Sequence, residues 1–201
     1  MKKKITQLTQ ILKSIAQPKN KDQLLLFLKK AYDSNIIDSD SLMMLEGVIG
    51  FSEMQARDVM IPRSQVSFIN INDNIETIVD TIIHTAHSRF PVIDKDNNNV
   101  IGILLAKDLV RVSKIKDIDL RDILRPPVYI PESKKLNVLL KEFRSNRNHI
   151  AIVVDEYAGI AGILTIEDVL EQIVGDIEDE FDYDENEDNI IQEDATSFRI
   201  K

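Results

Sequence analysis

The sequence predicts an α+β protein: a tandem pair of β-α-β-β-α units, related by a pseudo-two-fold and preceded by an N-terminal helical segment. Three observations carry that expectation. Gly102-Ile103-Leu104-Leu105-Ala106-Lys107-Asp108 recurs as Gly162-Ile163-Leu164-Thr165-Ile166-Glu167-Asp168, 60 residues later. The repetition runs upstream. Pro91-Val92-Ile93-Asp94 matches Ile152-Val153-Val154-Asp155, and Arg57-Asp58-Val59-Met60-Ile61-Pro62 matches Arg121-Asp122-Ile123-Leu124-Arg125-Pro126. Within each copy, short apolar runs bounded by turn residues alternate with a stripe of helical period. Two copies of one unit leave a cleft between them, where ligands tend to bind.

The elements follow in order. Residues 5 to 16 read as a short amphipathic helix that Pro18 breaks. Asp22 is placed to cap a helix through about Tyr32, with Leu24 to Leu28 as its apolar residues. Asp38 to Asp40 cap another helix carrying Leu42, Met43, Leu45 and Val48, with Gly47 and Gly50 weakening its end. In the first repeat, Val66 to Ile69 is a strand, and Asp73 with Glu76 forms a capping box. Ile75, Ile78, Val79, Ile82 and Ile83 then make a helical stripe. Phe90 to Ile93 and Val100 to Leu105 are strands joined by the turn Asp96-Asn97-Asn98-Asn99, and a short helix follows from Lys107. The second repeat runs likewise. Val128 to Ile130 is a strand, and Ser133 caps a helix bearing Leu136, Leu139, Leu140 and Phe143. Ile150 to Val154 and Ile160 to Leu164 flank a Tyr157-Ala158-Gly159 turn. The last helix, Ile166 to Val174, stops at Gly175. Thr196 to Ile200 reads as a strand.

Charge is unevenly distributed. Asp176 to Asp188 holds nine acids and no base, which leaves 25 acids against 25 bases elsewhere, so the formal charge of −9 falls in this one stretch. A balanced body with an acidic tail argues against nucleic-acid binding, which requires a basic face. The acidic run reads as a solvated linker, since loose carboxylates hold hard cations weakly. There is no cysteine, hence no disulfide, thiolate metal site or thiol chemistry. No stretch of 18 apolar residues and no signal-peptide pattern is present, and the cytoplasm is the expected compartment.

Thr165 and Asp168 mark the candidate site. A strand ends there and a helix begins with a hydroxyl at its mouth, where free N–H groups and the positive dipole end suit a phosphate. Asp168 faces the same way three residues on, and a carboxylate accepts two hydrogen bonds from a ribose diol. On pattern alone the pair is a helix cap; the repeat context favours a nucleoside phosphate. Leu105 replaces Thr165 in the first repeat, so one good site rather than two is expected. Arg89 offers a bidentate phosphate donor or, equally, a surface ion pair. Phe90 belongs in the core. Pro91 fits a strand only at an edge or a start, which leaves room beside it for a flat base. His84, His87 and His149 lack the spacing of a zinc site. With no P-loop, no nucleophile elbow and no nucleophile–base pair, no catalytic residue and no metal ligand is assigned, and a non-enzymatic role is expected.

These segments resemble tandem CBS domains, and more closely the bacterial CorC/HlyC family of magnesium and cobalt efflux proteins and hemolysin-like proteins. The resemblance rests on Leu45-Glu46-Gly47-Val48, Arg57 to Ser64, His87-Ser88-Arg89-Phe90-Pro91-Val92, Ala106-Lys107-Asp108-Leu109 and Ile163 to Asp168. It continues through Ile173-Val174-Gly175-Asp176-Ile177-Glu178-Asp179-Glu180, and Pro18 to Asp40 resembles the form without a membrane domain. It implies a helical segment at 1–52, CBS domains at 53–118 and 119–180, and at 181–201 an acidic linker with the start of a C-terminal transporter-associated domain. It further implies a CBS pair that binds AMP or ATP, with Mg²⁺ as a companion ion, and that forms a flat homodimer. The nucleotide contacts carried over are Ile61 through its backbone, His87, Arg89 and Pro91 from the first repeat, and Thr165 and Asp168 from the second. Related CNNM transporters often have Thr at the Ile61 position, so here a side-chain hydrogen bond is lost.

The expected function is therefore a cytoplasmic regulatory module that senses adenine nucleotide and biases magnesium or cobalt export through a membrane partner at the inner face. The rivals are a purely structural dimerisation module with an empty cleft, and a hemolysin-like protein. Nothing in the sequence supports pore formation.

Overall fold

The computed structural model describes residues 17–94, 99–112, 119–175, 190–194 and 197–200. The expected helix over 5–16, the Asp96 to Asn98 turn and the acidic stretch Asp176 to Asp188 lie outside the described residues.

Two helices lead. Helix α1 (Lys21–Asp33) starts two residues earlier than a cap at Asp22 would allow, because Asn20 is the cap and its side chain accepts from the Gln23 N–H at 2.9 Å. Helix α2 (Ser39–Phe51) is capped by Asp38, which accepts from the Ser41 N–H at 2.7 Å; that donation holds the Asp38 carboxyl below its ordinary range. Gly47 does not end this helix. A Cβ there would stand 2.7 Å from the Ile173 carbonyl oxygen, so the glycine lets α2 lie against the last helix of the repeats.

The repeats then unfold in matched order. The first holds α3 (Ala56–Val59), β1 (Ile61–Pro62), a 3₁₀ turn at Arg63–Gln65, β2 (Ile69–Asn70) and α4 (Ile75–Thr85), then β3 (Arg89–Asp94), β4 (Asn99–Leu105) and α5 (Ala106–Val112). The second holds a 3₁₀ turn at Leu120–Ile123, β5 (Tyr129–Pro131), α6 (Leu136–Asn146), β6 (Ile150–Val154), β7 (Ile160–Thr165) and α7 (Ile166–Val174). Strands β8 (Ile190–Asp194) and β9 (Ser197–Ile200) form a separate antiparallel pair. Both repeats bend at equivalent irregularities, Val92/Ile93 and Val153/Val154.

Two expected caps go elsewhere. Asn74, not Asp73, caps α4, accepting from the Thr77 N–H at 2.8 Å; Asp73 instead accepts from the Asn70 N–H in the preceding turn. Ser133 does not cap α6. Its N-cap is Lys135, which supplies no side-chain bond, and the Leu136 N–H donates to the Met54 carbonyl at 3.1 Å. A backbone acceptor brought in from the other repeat thus does the work of a local hydroxyl.

That contact belongs to a wider exchange. The first sheet has the order β2-β3-β4, but the second has β1-β7-β6-β5, so the leading strand of the first repeat lies in the sheet of the second. Ile61 faces Ile163 and Pro62 faces Gly162. The reciprocal bridge joins Arg125 to Ile103, with N–H···O distances of 2.8 and 2.9 Å. Ile61 and Arg125 are equivalent positions, as are Ile163 and Ile103. Each repeat therefore lends its leading segment to its neighbour.

The cores follow the exchange. Phe51 and Ala56 are buried with Ile130, Leu136, Leu139, Phe143, Val153 and Leu164 of the second repeat. Ile69, Ile78, Phe90, Val92 and Leu104 form the first core, and Leu120, Ile123 and Leu124 pack onto it. A third cluster, with Val100, Ile103, Ile150, Ile152 and Ile163, lies on the seam between the sheets. The Tyr129 hydroxyl crosses that seam to donate to the Val100 carbonyl at 2.6 Å, and desolvation there raises its pKa.

The repeated glycine is where the exchanged segments come closest. A Cβ on Gly162 would collide with the Ile61 carbonyl oxygen, and one on Gly102 would stand 2.7 Å from the Leu124 Cβ. Neither contact is with the free end of a side chain, since the Leu124 Cβ moves only with its backbone, but the overlap at Gly162 is the deeper. Gly162→Ala is expected to cost about 2 kcal/mol or more, and Gly102→Ala clearly less. Urea denaturation of the two variants measures the difference, and equal costs would contradict the asymmetry.

Candidate functional site

The site is built from strand ends and helix mouths at the junction of the repeats. Helices α4 and α6 both end in a left-handed residue, Ala86 with φ 54° and Arg147 with φ 55°. These two corners swing the chain into β3 and β6, and they face a common cleft. The cleft has a volume of about 870 Å³. Ile82, Ile103, Leu105, Val128 and Ile150 give it an apolar lining, while Arg89, Lys107, Arg125 and Arg147 bring four cations to it, with His87 and His149 beside them. No carboxylate is among the described residues that line it. In a chain of net charge −9 this gathers cations in one place, two of which, Arg89 and Arg125, have carboxylate partners just outside the lining, Glu167 and Asp108.

The six residues expected at the site fall into two groups. His87 and Arg89 line the cleft. His87 is exposed, its ring 6.0 Å from that of Phe90. Arg89 opens β3. Ile61, Pro91, Thr165 and Asp168 do not line this cleft. Pro91 is buried within β3, facing Ile103 across the ladder and just before β2 begins to pair at Val92, so its missing N–H breaks no bond to β2. Ile61 runs beside β7 opposite Ile163, two residues short of Thr165.

Thr165 ends β7 and caps α7. Its hydroxyl donates to an Asp168 carboxylate oxygen at 2.7 Å, its backbone N–H donates to the same oxygen at 2.7 Å, and the Asp168 N–H donates to the hydroxyl at 3.1 Å. This is a complete capping box. The cap and the ligand readings are compatible, since one carboxylate oxygen of Asp168 carries both bonds and leaves the other for a ribose hydroxyl.

Glu167 joins the two groups. Its carboxylate lies 4.0 Å from the Arg89 guanidinium and 3.6 Å from His149 Nδ1. Arg89 of the first repeat is thus held at the mouth of the helix that Thr165 caps in the second. The equivalent of Asp168 in the first repeat, Asp108, is buried and accepts from Arg125 at 3.4 Å. Leu105 stands where Thr165 stands in the other repeat. On that side an arginine on the exchanged segment replaces the hydroxyl cap as the partner of the carboxylate.

Arg125, Arg147, Lys107, His149 and Glu167 were not among the expected site residues. Arg125 had a signal: it is the repeat equivalent of Ile61, so the position that lacks a side-chain donor in one copy carries a guanidinium in the other. Arg147 had none, because its place depends on the left-handed corner at the end of α6.

Known proteins place this geometry in context. The CBS-domain family model matches residues 56–114 and 115–175, and the model for the N-terminal region of NMB0537 matches residues 16–51. A magnesium and cobalt efflux protein CorC from Pasteurella multocida is 50% identical over 169 residues, which cover 83% of this chain and 56% of that protein. The chain thus spans little more than half the length of that relative. The CBS domain of a bacterial CNNM/CorC family Mg²⁺ transporter, solved in complex with ATP, is similar at TM-score 0.61 and 34% identity, covering 68% of this chain and 99% of that one. A CBS-domain pair from Klebsiella pneumoniae with bound AMP is similar at TM-score 0.54 and 30% identity, covering 61% and 99%.

The capping box has a measurable share in stability. Thr165→Val keeps the shape and removes the hydroxyl, and it is expected to lower unfolding free energy by about 1 kcal/mol. Chemical denaturation checks this; an unchanged midpoint would mean that α7 draws its stability from packing alone.

Proposed function

The chain belongs to the CorC family of tandem CBS-domain proteins, and from that premise we propose that it is an adenine-nucleotide-sensing module that regulates magnesium or cobalt export. CBS domains are regulatory and non-catalytic, which is the role given to this chain. The observation that carries the reading is Arg89 of the first repeat, held through Glu167 at the mouth that Thr165 and Asp168 form in the second and lining a neighbouring cleft of about 870 Å³ with apolar walls and the cations Lys107, Arg125 and Arg147. A nucleotide has the same division into a flat apolar base and a polyanionic tail.

In this reading the nucleotide lies across both repeats. Asp168 with Thr165 holds the ribose at the α7 mouth, Arg89 takes phosphate, and the base lies towards His87 and the Ile61 backbone, with Pro91 buried behind them in β3. Arg89 is already beside that mouth, 4.0 Å from Glu167. Phosphate would compete with the Glu167 carboxylate for the guanidinium, so binding exchanges one ion pair for another. Mg²⁺ would accompany a triphosphate and offset the charge that Arg89 alone cannot. Sensing further requires that the ligand favour one arrangement of the repeats over another, since equal affinity for both shifts nothing. The downstream element in this reading is a membrane-embedded transporter at the inner face of the membrane. Among the described residues no helix is long and apolar enough to cross a membrane.

The homodimer is assigned to the outer face of α4. Ile75, Val79 and Ile83 form a stripe at i, i+4 and i+8 that the chain itself leaves exposed, Ile83 at 71%. Burying such a stripe against a second copy removes it from water. Ile83→Glu is expected to shift the protein to monomer in sedimentation velocity, with its melting temperature little changed. A dimer that survives would move the interface elsewhere.

Calorimetric titration of AMP and ATP, each with and without Mg²⁺, tests the nucleotide reading. Wild type is expected to bind saturably. Asp168→Ala is expected to abolish binding with the fold retained, and Arg89→Ala to weaken ATP more than AMP. Absence of heat and of thermal shift with every nucleotide would favour the structural module, in which Thr165, Asp168, Arg89 and Glu167 serve only one another. Unchanged affinity in Asp168→Ala would move the ligand away from the α7 mouth.

A further inference from the structure

The two repeats have diverged at equivalent positions around their junction. Lys107 stands in the first repeat where Glu167 stands in the second. Arg125 stands in the second where Ile61 stands in the first, and Arg147 holds the left-handed corner that Ala86 holds in the first. The hydroxyl has gone the other way, since Thr165 caps α7 while Leu105 precedes α5. One side of the junction thus keeps the groups that suit a ribose, and the other has gained cations.

Those cations are not equally engaged. Arg125 is held by Asp108 at 3.4 Å and Arg89 by Glu167 at 4.0 Å. Lys107 and Arg147 line the same cleft, are exposed to it, and make no ion pair among the described residues. Arg89 links them to the α7 mouth. It faces Leu105 across the ladder, and the Ala106 N–H donates to the Ser88 carbonyl at 3.0 Å, so the chain that carries Lys107 is bonded beside Arg89. Arg147 lies two residues before His149, whose Nδ1 is 3.6 Å from the Glu167 oxygen that Arg89 also approaches. An anion among these groups would meet apolar walls behind it, where its attraction to a cation is stronger than in open water.

We propose that Lys107 and Arg147 form a subsite for the distal phosphates of a nucleoside triphosphate, and that this subsite makes the protein select a triphosphate over a monophosphate. The proposal rests on the nucleotide reading above and gives the ligand a direction. With the ribose on Asp168 and the first phosphate on Arg89, the remaining phosphates enter the cleft towards the first repeat. Lys107 meets them as a compact point charge and Arg147 as a planar fork. A monophosphate ends at Arg89 and gains nothing from either.

Calorimetric titration without Mg²⁺, where the protein alone meets the phosphate charge, tests it. AMP, ATP and inorganic tripolyphosphate are compared on the full chain and on Lys107→Gln with Arg147→Gln. Wild type is expected to bind ATP more tightly than AMP. The double variant is expected to lose at least about tenfold in ATP affinity and clearly less in AMP affinity, and to lose tripolyphosphate binding. Both side chains are exposed, and thermal unfolding of the variant reports its fold. Lys107→Gln alone is read in the same way should the double variant unfold. Equal binding of AMP and ATP by wild type, or a variant in which both weaken by the same factor, overturns the subsite and leaves the nucleotide reading standing. Tripolyphosphate bound by wild type and lost in the variant, with no nucleotide bound, supports the phosphate subsite and places the failure at the ribose site. Wild type that binds neither nucleotide nor tripolyphosphate overturns both.

Discussion

The reciprocal exchange of leading segments is the constraint on which the rest of the structure depends. Ile61 lies on Ile163 and Arg125 lies on Ile103, so neither repeat completes its own sheet or core. A single β-α-β-β-α unit exposes the apolar face that the neighbour's segment covers, and isolated strands of two residues have no stability of their own. The exchange turns two marginal halves into one cooperative unit. It demands that the receiving strand lack a side chain where the segment crosses, and Gly102 and Gly162 meet that demand. The most visible repeat in the sequence is thus the imprint of a contact between the repeats rather than of a turn within either.

How far the fold was legible depends on whether the determining interaction was local. The strands from Arg89 to Leu105 and from Ile150 to Thr165 announce themselves by composition, and the capping box at Thr165 and Asp168 lies within four consecutive residues. The caps at Asp73 and Ser133 were misread because competing acceptors won: Asn74 in one case, the Met54 carbonyl from across the molecule in the other. Gly47 looked like a helix end because intrinsic propensity carries no information about a second helix at 2.7 Å. The strand at Ile61 and Pro62 was invisible, since its partner lies a hundred residues away in sequence.

The site shows the same division. His87 and Arg89 could be named because they stand in a recognisable segment, and Thr165 and Asp168 because of the helix mouth. The cleft's remaining cations depend on geometry that composition does not encode. Arg147 reaches it only because α6 ends in a left-handed residue, and Arg125 only because its segment is lent to the first repeat. An average charge of −9 conceals a positive cleft for the same reason. Net charge sums over the chain, whereas an anion responds to the few groups near it.

The exchange also bears on how a ligand could be sensed. Arg125 is a cleft residue, and its backbone is hydrogen-bonded to β4 while its chain continues into β5. Arg89 opens β3 and pairs with Glu167 on α7. Each of these side chains belongs to one repeat and is held by the other, so a phosphate drawn between them acts on both repeats at once. The seam behind the cleft is tightly tied, by the Tyr129 hydroxyl on Val100 and by five buried residues with branched apolar side chains. Packed seams of this kind resist gradual deformation and favour discrete arrangements. The ion pairs at the mouth are weaker and solvent-facing, and therefore the part that a ligand can rearrange. In the proposed sensing reading, a displacement at Glu167 would pass along α7 to Gly47 and the leading hairpin, since α7 packs directly on α2.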